Sequence, residues 1–205
     1  MGKNYQKILD AKIEELLREG KRPSLLLHAC CAPCSSYVLE YLTNYFDITV
    51  YFYNPNIYPK SEFEFRADEL SRFVEKCYSD GRVKVVCENY NAEEFYSAVR
   101  GRENEIEGGD RCRICYALRL DRSARYAAEN GFEYITTTLS ISPHKNSEWL
   151  NDIGEKCAEK YNIKYLLSDF KKKNGYKRSC ELSNEYQMYR QDYCGCEFSA
   201  KNREK

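Results

Sequence analysis

The hydrophobic positions of this chain follow two spacings, one typical of helices and one typical of short buried strands. Near the amino terminus Ile8, Leu9, Ile13 and Leu16 recur at intervals of three and four, which predicts a helix over residues 4–19. Short apolar runs predict strands at 24–29, 48–53, 83–88, 134–140 and 163–170. Helical spacing returns between these runs and after the last one, and predicts helices at 34–42, 61–78, 91–99, 111–130, around 149–157 and at 180–193.

Short strands that alternate with helices predict an α/β fold, a Rossmann-like, doubly wound parallel sheet of about five strands. We expect a single domain over residues 1–205, with an N-terminal helix at 1–20 and a C-terminal segment at 180–205 packed on it. Sites in such sheets lie at the carboxyl ends of the strands. Three loops that follow strands should therefore meet at one edge, at residues 30–34, 54–60 and 142–145.

The charge balance argues against an indiscriminate nucleic-acid binder, because 32 basic and 32 acidic residues give a formal net charge of zero. The basic residues are unevenly placed, since residues 171–178 carry five of them and no acid. Another group falls in and after the second cysteine pair: Arg111, Arg113, Arg119, Arg122 and Arg125. Such a face could hold a phosphate backbone, or it could simply be solvated.

The first residues, MGKNYQKILD, lack the apolar core of a secretory signal, and no apolar run is long enough to cross a bilayer. We therefore expect a cytoplasmic protein without a membrane partner. In that compartment disulfides are rare, and clustered cysteines bind metals or carry out redox chemistry.

Eight of the eleven cysteines are in or near short clusters, and the first cluster is HACCAPC, with Cys30, Cys31 and Cys34. Two adjacent thiols cannot point the same way from a regular strand, but they can on a turn, and Pro33 forces a bend. Cys34 should lie in the first turn of a helix, where the helix dipole favours a thiolate.

Cys112 and Cys115 form a second cluster, with a spacing that places both sulfurs on one side of a turn. This pair alone could be a zinc knuckle, a thioredoxin-like dithiol or half of an iron–sulfur site. Two close pairs supply four thiolates, enough for zinc or for a [4Fe–4S] cluster. Asp110 is near enough in sequence to join a second metal.

Cys194 and Cys196 form the third cluster, separated only by Gly195. Two fully extended residues span roughly 6.6–7.2 Å, and a disulfide needs α-carbons about 5.5 Å apart, so the chain must bend to close one. A bond closed over one residue would be strained and easily reduced. The other cysteines are expected to be structural: Cys77, Cys87 and Cys157 in the core, and Cys180 upstream of the third cluster.

The motifs HACCAPC, NPNI, DRCRICY, TTTLSISPHKN, FKKKNGYKRSCELS and YRQDYCGC resemble those of the QueH family of tRNA epoxyqueuosine reductases. The resemblance covers residues 25–196 and implies a doubly wound sheet of the nucleotide α-hydrolase (PP-loop) type. Members of that fold that bind ATP carry a glycine-rich loop after the first strand, and HACCAPC stands in its place here.

The resemblance implies a [4Fe–4S] cluster held by Cys30, Cys31, Cys112 and Cys115. It also implies a redox-active disulfide between Cys194 and Cys196, and no cobalamin. Some members carry a further mononuclear iron beside the cluster, for which Cys34 and Asp110 are the candidate ligands. The implied reaction is the two-electron removal of the epoxide oxygen of epoxyqueuosine at the wobble position of a tRNA, which gives queuosine.

The implied partners are a tRNA that carries epoxyqueuosine in its anticodon loop and an electron donor that the sequence does not identify. Aromatic side chains could stack on the base, and Tyr116 is one of them. His28 could instead have a structural role. The candidate substrate contacts are His28, Tyr53, Asn54, Tyr58, His144, Lys145, Lys172, Lys173 and Arg190. Two other functions stay open, an ATP-dependent tRNA-thiolating enzyme of the same fold and a zinc-stapled nucleic-acid-binding module.

Overall fold

The computed structural model describes residues 3–201, so residues 1, 2 and 202–205 of the predicted terminal segments lie outside the described residues. Within 3–201 there are five strands and eight α-helices. The strands are β1 (Ser24–His28), β2 (Asp47–Phe52), β3 (Val83–Cys87), β4 (Tyr134–Thr137) and β5 (Lys164–Tyr165). The helices are α1 (Tyr5–Arg18), α2 (Ala32–Leu42), α3 (Lys60–Cys77), α4 (Ala92–Ala98), α5 (Asp110–Glu129), α6 (Ser147–Lys160), α7 (Gly175–Glu185) and α8 (Glu197–Lys201).

The five strands form one parallel sheet with the order β3-β2-β1-β4-β5. The central strand β1 pairs with β2 on one side and with β4 on the other, so that Leu25 lies beside both Ile48 and Tyr134. This order reverses direction between β1 and β4, as in doubly wound folds. The predicted α/β fold class is confirmed.

Alternate residues of β1 point into two different hydrophobic layers. Leu25 and Leu27 pack with α1, α2 and α3 on one face, and Leu26 packs with α5 and α6 on the other. Both faces of the sheet are therefore covered, which is why its strands are continuously apolar and do not alternate.

Local sequence signals set several helix boundaries. Asn4 caps α1 by accepting a hydrogen bond from the backbone N–H of Lys7 at 3.1 Å, and Asn146 caps α6 in the same way through Trp149. Pro33 occupies the first turn of α2, where its missing N–H costs nothing.

The structure differs from the sequence prediction at the end of two strands. The fourth predicted strand stops at Thr137, because the Thr137 side chain accepts a hydrogen bond from the Leu139 backbone N–H and the chain turns into a 3₁₀-helix at Thr138–Ile141. The fifth strand, predicted over 163–170, has only two residues, since the edge strand pairs with β4 alone and then leaves the sheet.

The C-terminal segment also differs from the predicted helix over 180–193. The helix α7 starts at Gly175 and ends at Glu185, and Gln187 then has a φ of 54°. Gly175 fits so closely that a β-carbon there would overlap the Phe170 carbonyl oxygen and the Tyr37 ring of α2. Packing on α2 therefore moves the helix start upstream of the position predicted from sequence periodicity.

No helix within residues 3–201 is both long and apolar enough to span a membrane.

Candidate functional site: thiols at the carboxyl edge of the sheet

The candidate site lies where the strand order reverses. The first cysteine cluster follows β1 directly, and the segment 138–145 follows β4, its neighbour in the sheet. A crevice opens between neighbouring strands whose connections lead to opposite faces, and ligands bind there in open α/β sheets. The loops predicted to meet at this edge come together around the cysteines.

Cys30, Cys31 and Cys34 form a compact group whose sulfur atoms all lie within 4.8 Å of one another. The Cys30 and Cys31 sulfurs are 3.6 Å apart. The group is assembled by the turn between β1 and α2, because Cys31 has the extended backbone of a helix cap and Cys34 lies in the first turn of α2. Among the described residues it is the one group of three or more cysteine, histidine or acidic side chains arranged closely enough to hold a metal ion.

Within this group, Cys30 is the thiol that loses its proton most easily. Hydrogen bonds with Cys31 and then Cys34 lower the pKa of Cys30 well below its usual range, despite burial. The same hydrogen bonds to Cys30 raise the pKa of Cys31 to about 12 and raise that of Cys34 as well. One thiolate supported by two thiols is a site ready to lose further protons to a metal, since cysteine binds metals as thiolate.

A second sulfur group lies next to the first. Cys112 and Cys115, one turn apart on α5, line a small cavity of about 30 Å³ together with Cys194 and Cys196. Burial raises the pKa of Cys115 to about 11 and raises that of Cys112 too, although the Gly108 backbone N–H donates to Cys112 at 3.3 Å. The α5 pair and the C-terminal pair therefore line the same cavity, although they are far apart in sequence.

The two sulfurs of the C-terminal pair, Cys194 and Cys196, lie close to each other. The Cys194 and Cys196 sulfurs are 3.4 Å apart as free thiols. The hydrogen bond with Cys196 and the positive charge of Lys145 lower the pKa of Cys194 to about 6 against the effect of burial, and the same hydrogen bond raises the pKa of Cys196. A low-pKa thiol beside a protonated one is the arrangement that exchanges readily with a disulfide.

Gly195 allows the bend between these cysteines. Its φ is +108°, a backbone conformation that L side chains rarely adopt, and a β-carbon would lie 3.0 Å from Arg66 Nη1 and 3.1 Å from Ile57 Cγ1. The Gly195 carbonyl accepts a hydrogen bond from the Tyr58 backbone N–H at 2.9 Å. The pair is therefore fixed to the loop that follows β2.

A larger cavity of about 290 Å³ opens on the other side of Cys194 and reaches the first cysteine cluster. Arg66, Lys145 and Arg190 line it, together with the acidic residues Glu107 and Asp192. Burial disfavours the charge on Lys145, but the Cys30 thiolate and, more weakly, the neighbouring Cys34 and Cys194 sulfurs outweigh this effect and raise the pKa of Lys145. Cys194 and Lys145 line both cavities, so they stand between the two sulfur groups.

Three buried polar side chains that line these cavities have atoms without a hydrogen-bond partner among the described residues: Arg66 in the larger cavity, and Asn56 and Arg111 in the smaller one. Arg66 is 1% exposed and pairs with Glu62 through Nε at 2.7 Å, but its Nη2 has no hydrogen-bond acceptor. The Asn56 side-chain oxygen, in the smaller cavity, likewise has no donor. Buried polar atoms without partners are rare and costly, so these atoms indicate that the cavities hold a polar occupant.

Three predicted substrate contacts instead form a buried network beneath the cysteines. His28 and Asn54 are fully buried, and Arg119 joins them through its Nε to His28 Nε2 at 3.3 Å and its Nη2 to Asn54 Oδ1 at 2.5 Å. Because Nε2 accepts from Arg119, the ring donates from Nδ1 to the Thr137 hydroxyl at 2.9 Å. Burial and then Arg119 lower the pKa of His28 to about 3, so the ring is neutral. Tyr53 is also buried, and its hydroxyl donates to Glu94.

His28, Asn54 and Tyr53 therefore support the loops of the site and have no surface to offer a substrate. From the sequence, Arg119 was named only within a group of basic residues that could hold a phosphate backbone, although it lies four residues after Cys115 and therefore on the same face of α5. Its charge also counteracts the effect of burial on the pKa of Cys115. Arg66 was missed as well, because nothing in the helical pattern of α3 marks it as buried.

The remaining predicted substrate residues lie at the surface. His144, Lys145 and Arg190 line the larger cavity, and Tyr58 is 46% exposed beside Gly195. Lys172 and Lys173 lie in the loop before α7, where Lys173 pairs with Asp10 at 2.7 Å.

Asp110 lies away from the thiols that it was predicted to assist. It starts α5, its side chain is 64% exposed, and it pairs with Arg102 at 3.5 Å. Of the cysteines predicted to be in the core, Cys157 is buried and Cys77 is half-buried. Cys87 is exposed at the end of β3, an edge strand, so that prediction is wrong.

The fold and these side chains define a class of protein, a Rossmann-like α/β protein with two adjoining thiol groups that can bind a metal and carry out redox chemistry at the switch point of its sheet. Comparison with known proteins identifies the family. The family model described as "Epoxyqueuosine reductase QueH" matches residues 25–202. The chain belongs to that family.

Similar proteins of the same name occur in several bacteria. The one from Streptococcus pyogenes serotype M1 is 49% identical over 200 residues, which are 97% of this chain and 78% of that protein. The one from Staphylococcus epidermidis is 45% identical over 201 residues, covering 96% and 84% of the two chains. The one from Thermotoga maritima is 38% identical over 182 residues, covering 86% and 90%.

Proposed function

We propose that this chain is a tRNA epoxyqueuosine reductase, which removes the epoxide oxygen of epoxyqueuosine at the tRNA wobble position to give queuosine. The observation that carries this function is the convergence of three cysteine clusters at one edge of the sheet, with Cys194 between the other two. Family membership favours this reductase over a tRNA-thiolating enzyme and over a zinc-stapled binding module.

The reaction requires two electrons and two protons. Both carbon–oxygen bonds of the epoxide break, a carbon–carbon double bond forms, and the oxygen leaves as water. Oxidation of the Cys194 and Cys196 thiols to a disulfide releases two electrons and two protons, which balances the reaction. An external reductant of unidentified class must then reduce the disulfide before the next turnover.

Cys30, Cys31, Cys112 and Cys115 are the proposed ligands of a [4Fe–4S] cluster. The donor set fits, because iron–sulfur clusters are held by cysteine thiolates and these four line adjoining cavities that already contain polar atoms without partners. When bound, such a cluster transfers electrons one at a time. Buried cations next to the site, Arg66 and Arg119, offset the negative charge of the thiolates.

Cys34 is the better candidate of the two proposed for a second iron. Its sulfur belongs to the compact group with Cys30 and Cys31, whereas Asp110 is exposed and paired with Arg102. An iron with an open position is a Lewis acid for an oxygen ligand.

The larger cavity is the proposed place for the modified base, which must leave the stack of the anticodon loop to reach the thiols. Lys145 stays protonated beside the Cys30 thiolate, so its Nζ can donate a hydrogen bond to the epoxide oxygen. His144 and Arg190 line the same cavity and are proposed to contact the nucleotide. Lys172 and Lys173 are proposed to contact phosphates of the tRNA.

The test is conversion of epoxyqueuosine-containing tRNA to queuosine-containing tRNA by anaerobically prepared protein, followed by mass spectrometry of the released nucleosides. We expect conversion with a chemical reductant and about four to five irons per chain. Cys30→Ala, Cys31→Ala, Cys112→Ala and Cys115→Ala should each lose iron and conversion together.

Cys77→Ala is the matched control, because Cys77 lies on α3 within the hydrophobic core cluster and should not affect the metal. A colourless protein with one zinc per chain would reject the iron–sulfur cofactor. Loss of iron in Cys77→Ala as in the ligand variants would reject the ligand assignment.

A further inference from the structure

Exposed aromatic side chains lie along the segment 186–196, part of which lines the larger cavity. Among residues 3–201, seven large hydrophobic side chains are exposed, and the four that are aromatic are Tyr58, Phe65, Tyr176 and Tyr189. We call these four residues the aromatic rim. Tyr189 belongs to the segment 186–196, the Phe65 and Tyr176 rings contact that segment, and the Tyr58 backbone is hydrogen-bonded to it.

Contacts with this segment link the four residues to one another. The Phe65 and Tyr189 rings meet edge to face, with centroids 5.4 Å apart. The Arg190 guanidinium lies 5.4 Å from the centre of the Tyr176 ring, and both residues line the cavity. At the far end the Tyr58 carbonyl accepts a hydrogen bond from the Tyr193 hydroxyl at 3.1 Å.

The rim is held in place by hydrogen bonds that do not involve its rings. Glu69 accepts from the Tyr189 backbone N–H at 2.7 Å, and Arg190 donates to the Ser179 carbonyl and the Ser183 hydroxyl. The rings are therefore presented to solvent on a fixed backbone. Exposed apolar side chains that stand together mark interaction surfaces, whereas scattered ones need no explanation.

The charges between the rings favour an anionic partner. Arg72 and Lys76 line the groove beside Phe65 and Tyr189, where Glu69 is the one acid. At the cavity end three cations face two acids. Rings interleaved with cations fit a single-stranded nucleic acid, because bases stack on aromatic faces and the cations attract the phosphates.

We propose that the aromatic rim is the surface on which the unpaired bases next to the modified nucleotide stack, so that the anticodon loop lies across Tyr58, Tyr176, Phe65 and Tyr189. This inference rests on the proposed function. The occupant is a single-stranded RNA loop, since Tyr176 lines the cavity proposed to receive the base, Tyr189 precedes the cavity residue Arg190, and cations lie between the rings. Stacking is tolerant of base identity, so the rim positions the loop without reading its sequence.

The test measures binding of an unmodified RNA hairpin that has the anticodon stem and loop of a queuosine-containing tRNA, by fluorescence anisotropy under anaerobic conditions. Tyr176→Ala and Tyr189→Ala should each weaken binding about 5- to 150-fold, the effect of losing one stacked base. Tyr176→Phe and Tyr189→Phe keep the ring and should bind like the unchanged protein. Leu17→Ala, which removes an exposed apolar side chain on α1, should also have no effect.

A second hairpin separates stacking from phosphate contacts. It has the same backbone with abasic sites in the loop, and the alanine variants should bind it no more weakly than the unchanged protein does. The salt dependence of binding should keep its slope in the rim variants, because no phosphate contact is lost. In contrast, replacing Lys172 and Lys173 by Ala should reduce the slope by about one unit per lost contact.

Equal binding of the intact hairpin by the alanine variants and the unchanged protein would overturn the proposal. So would a dimer of the unchanged protein that Tyr189→Ala dissociates, because the rim would then be an interface between copies. The conversion assay keeps this result separate from the proposed function. If the unchanged protein converts the tRNA while rim variants bind normally, the reductase function stands and the rim assignment fails.

Discussion

Gly195 determines the backbone conformation between Cys194 and Cys196, the pair proposed to be redox-active. A side chain there would both strain the left-handed backbone and press on Arg66 and Ile57. Since Arg66 is buried and held by Glu62, it has little room to move away. The backbone bend that brings Cys194 and Cys196 together therefore requires a residue without a β-carbon at position 195.

We predict that Gly195→Ala destabilises the fold by about 1–3 kcal/mol and slows formation of the Cys194–Cys196 disulfide, because backbone strain and contact with Arg66 move the two sulfurs apart. Denaturant unfolding measures the first effect, and mass spectrometry after timed oxidation measures the second. Gly81→Ala is the control, since Gly81 has a φ of +75° and nothing within 4 Å of an added β-carbon. Equal disulfide rates in Gly195→Ala and the unchanged protein would show that the close contact is not important.

At the scale of elements, the C-terminal segment after α7 closes the site. This segment contains two aromatic residues near the site, Tyr189 and Tyr193. It also contains Arg190, which lines the larger cavity, and the C-terminal cysteine pair. Arg66 on α3 anchors it from below, with its guanidinium 5.2 Å from the centre of the Tyr193 ring. This single stretch of chain therefore joins the proposed substrate cavity to the proposed redox-active cysteines.

We predict that Cys194→Ser keeps its iron but cannot support multiple turnovers with a chemical reductant, because no disulfide can form and be reduced again. Single-turnover and multiple-turnover assays, with iron analysis of the same samples, measure this. Cys180→Ser on α7 should behave as the unchanged protein does. If Cys194→Ser empties the metal site, the C-terminal pair supplies a ligand and another pair must carry the electrons.

At the scale of the molecule, the proposed metal ligands belong to two segments whose helices pack on opposite faces of the sheet, although Cys30 and Cys31 themselves pack in the α5 layer. Cys30 and Cys31 precede α2, which packs on one face, whereas Cys112 and Cys115 lie on α5, which packs on the other. A metal centre bound to both would tie the two helical layers together at one edge. A ligand that binds only the folded state stabilises it by mass action.

We therefore predict that anaerobically metal-loaded protein unfolds at a higher temperature than the same protein after removal of iron with a chelator. Differential scanning calorimetry measures the difference. The Cys112→Ala variant, which lacks one proposed ligand, should have the same melting temperature before and after chelator treatment. Identical melting of loaded and stripped unchanged protein would mean that the metal does not bridge the two layers.

The amino-acid sequence was sufficient to predict the fold class. Apolar runs such as SLLLH are buried strands because both faces of a parallel sheet are covered, and this pattern needs no tertiary information to recognise. Cysteine spacing indicated metal binding or redox chemistry, but it left zinc, a dithiol and an iron–sulfur cluster open. The short β5 and the early start of α7 were missed, because strand pairing and close packing on α2 set those boundaries.

Only the tertiary structure decided which polar side chains face the cavities. His28 and Asn54 look like site residues along the chain, yet they are buried in hydrogen bonds with Arg119. Arg66 and the rim residues other than Tyr58 have no sequence signal, because their positions depend on how the segment 186–196 folds back over α3. The physical reason is the distance along the chain over which each property is set. Hydrophobic periodicity is a local property, whereas the burial and contacts of a charged or aromatic side chain depend on residues distant in sequence.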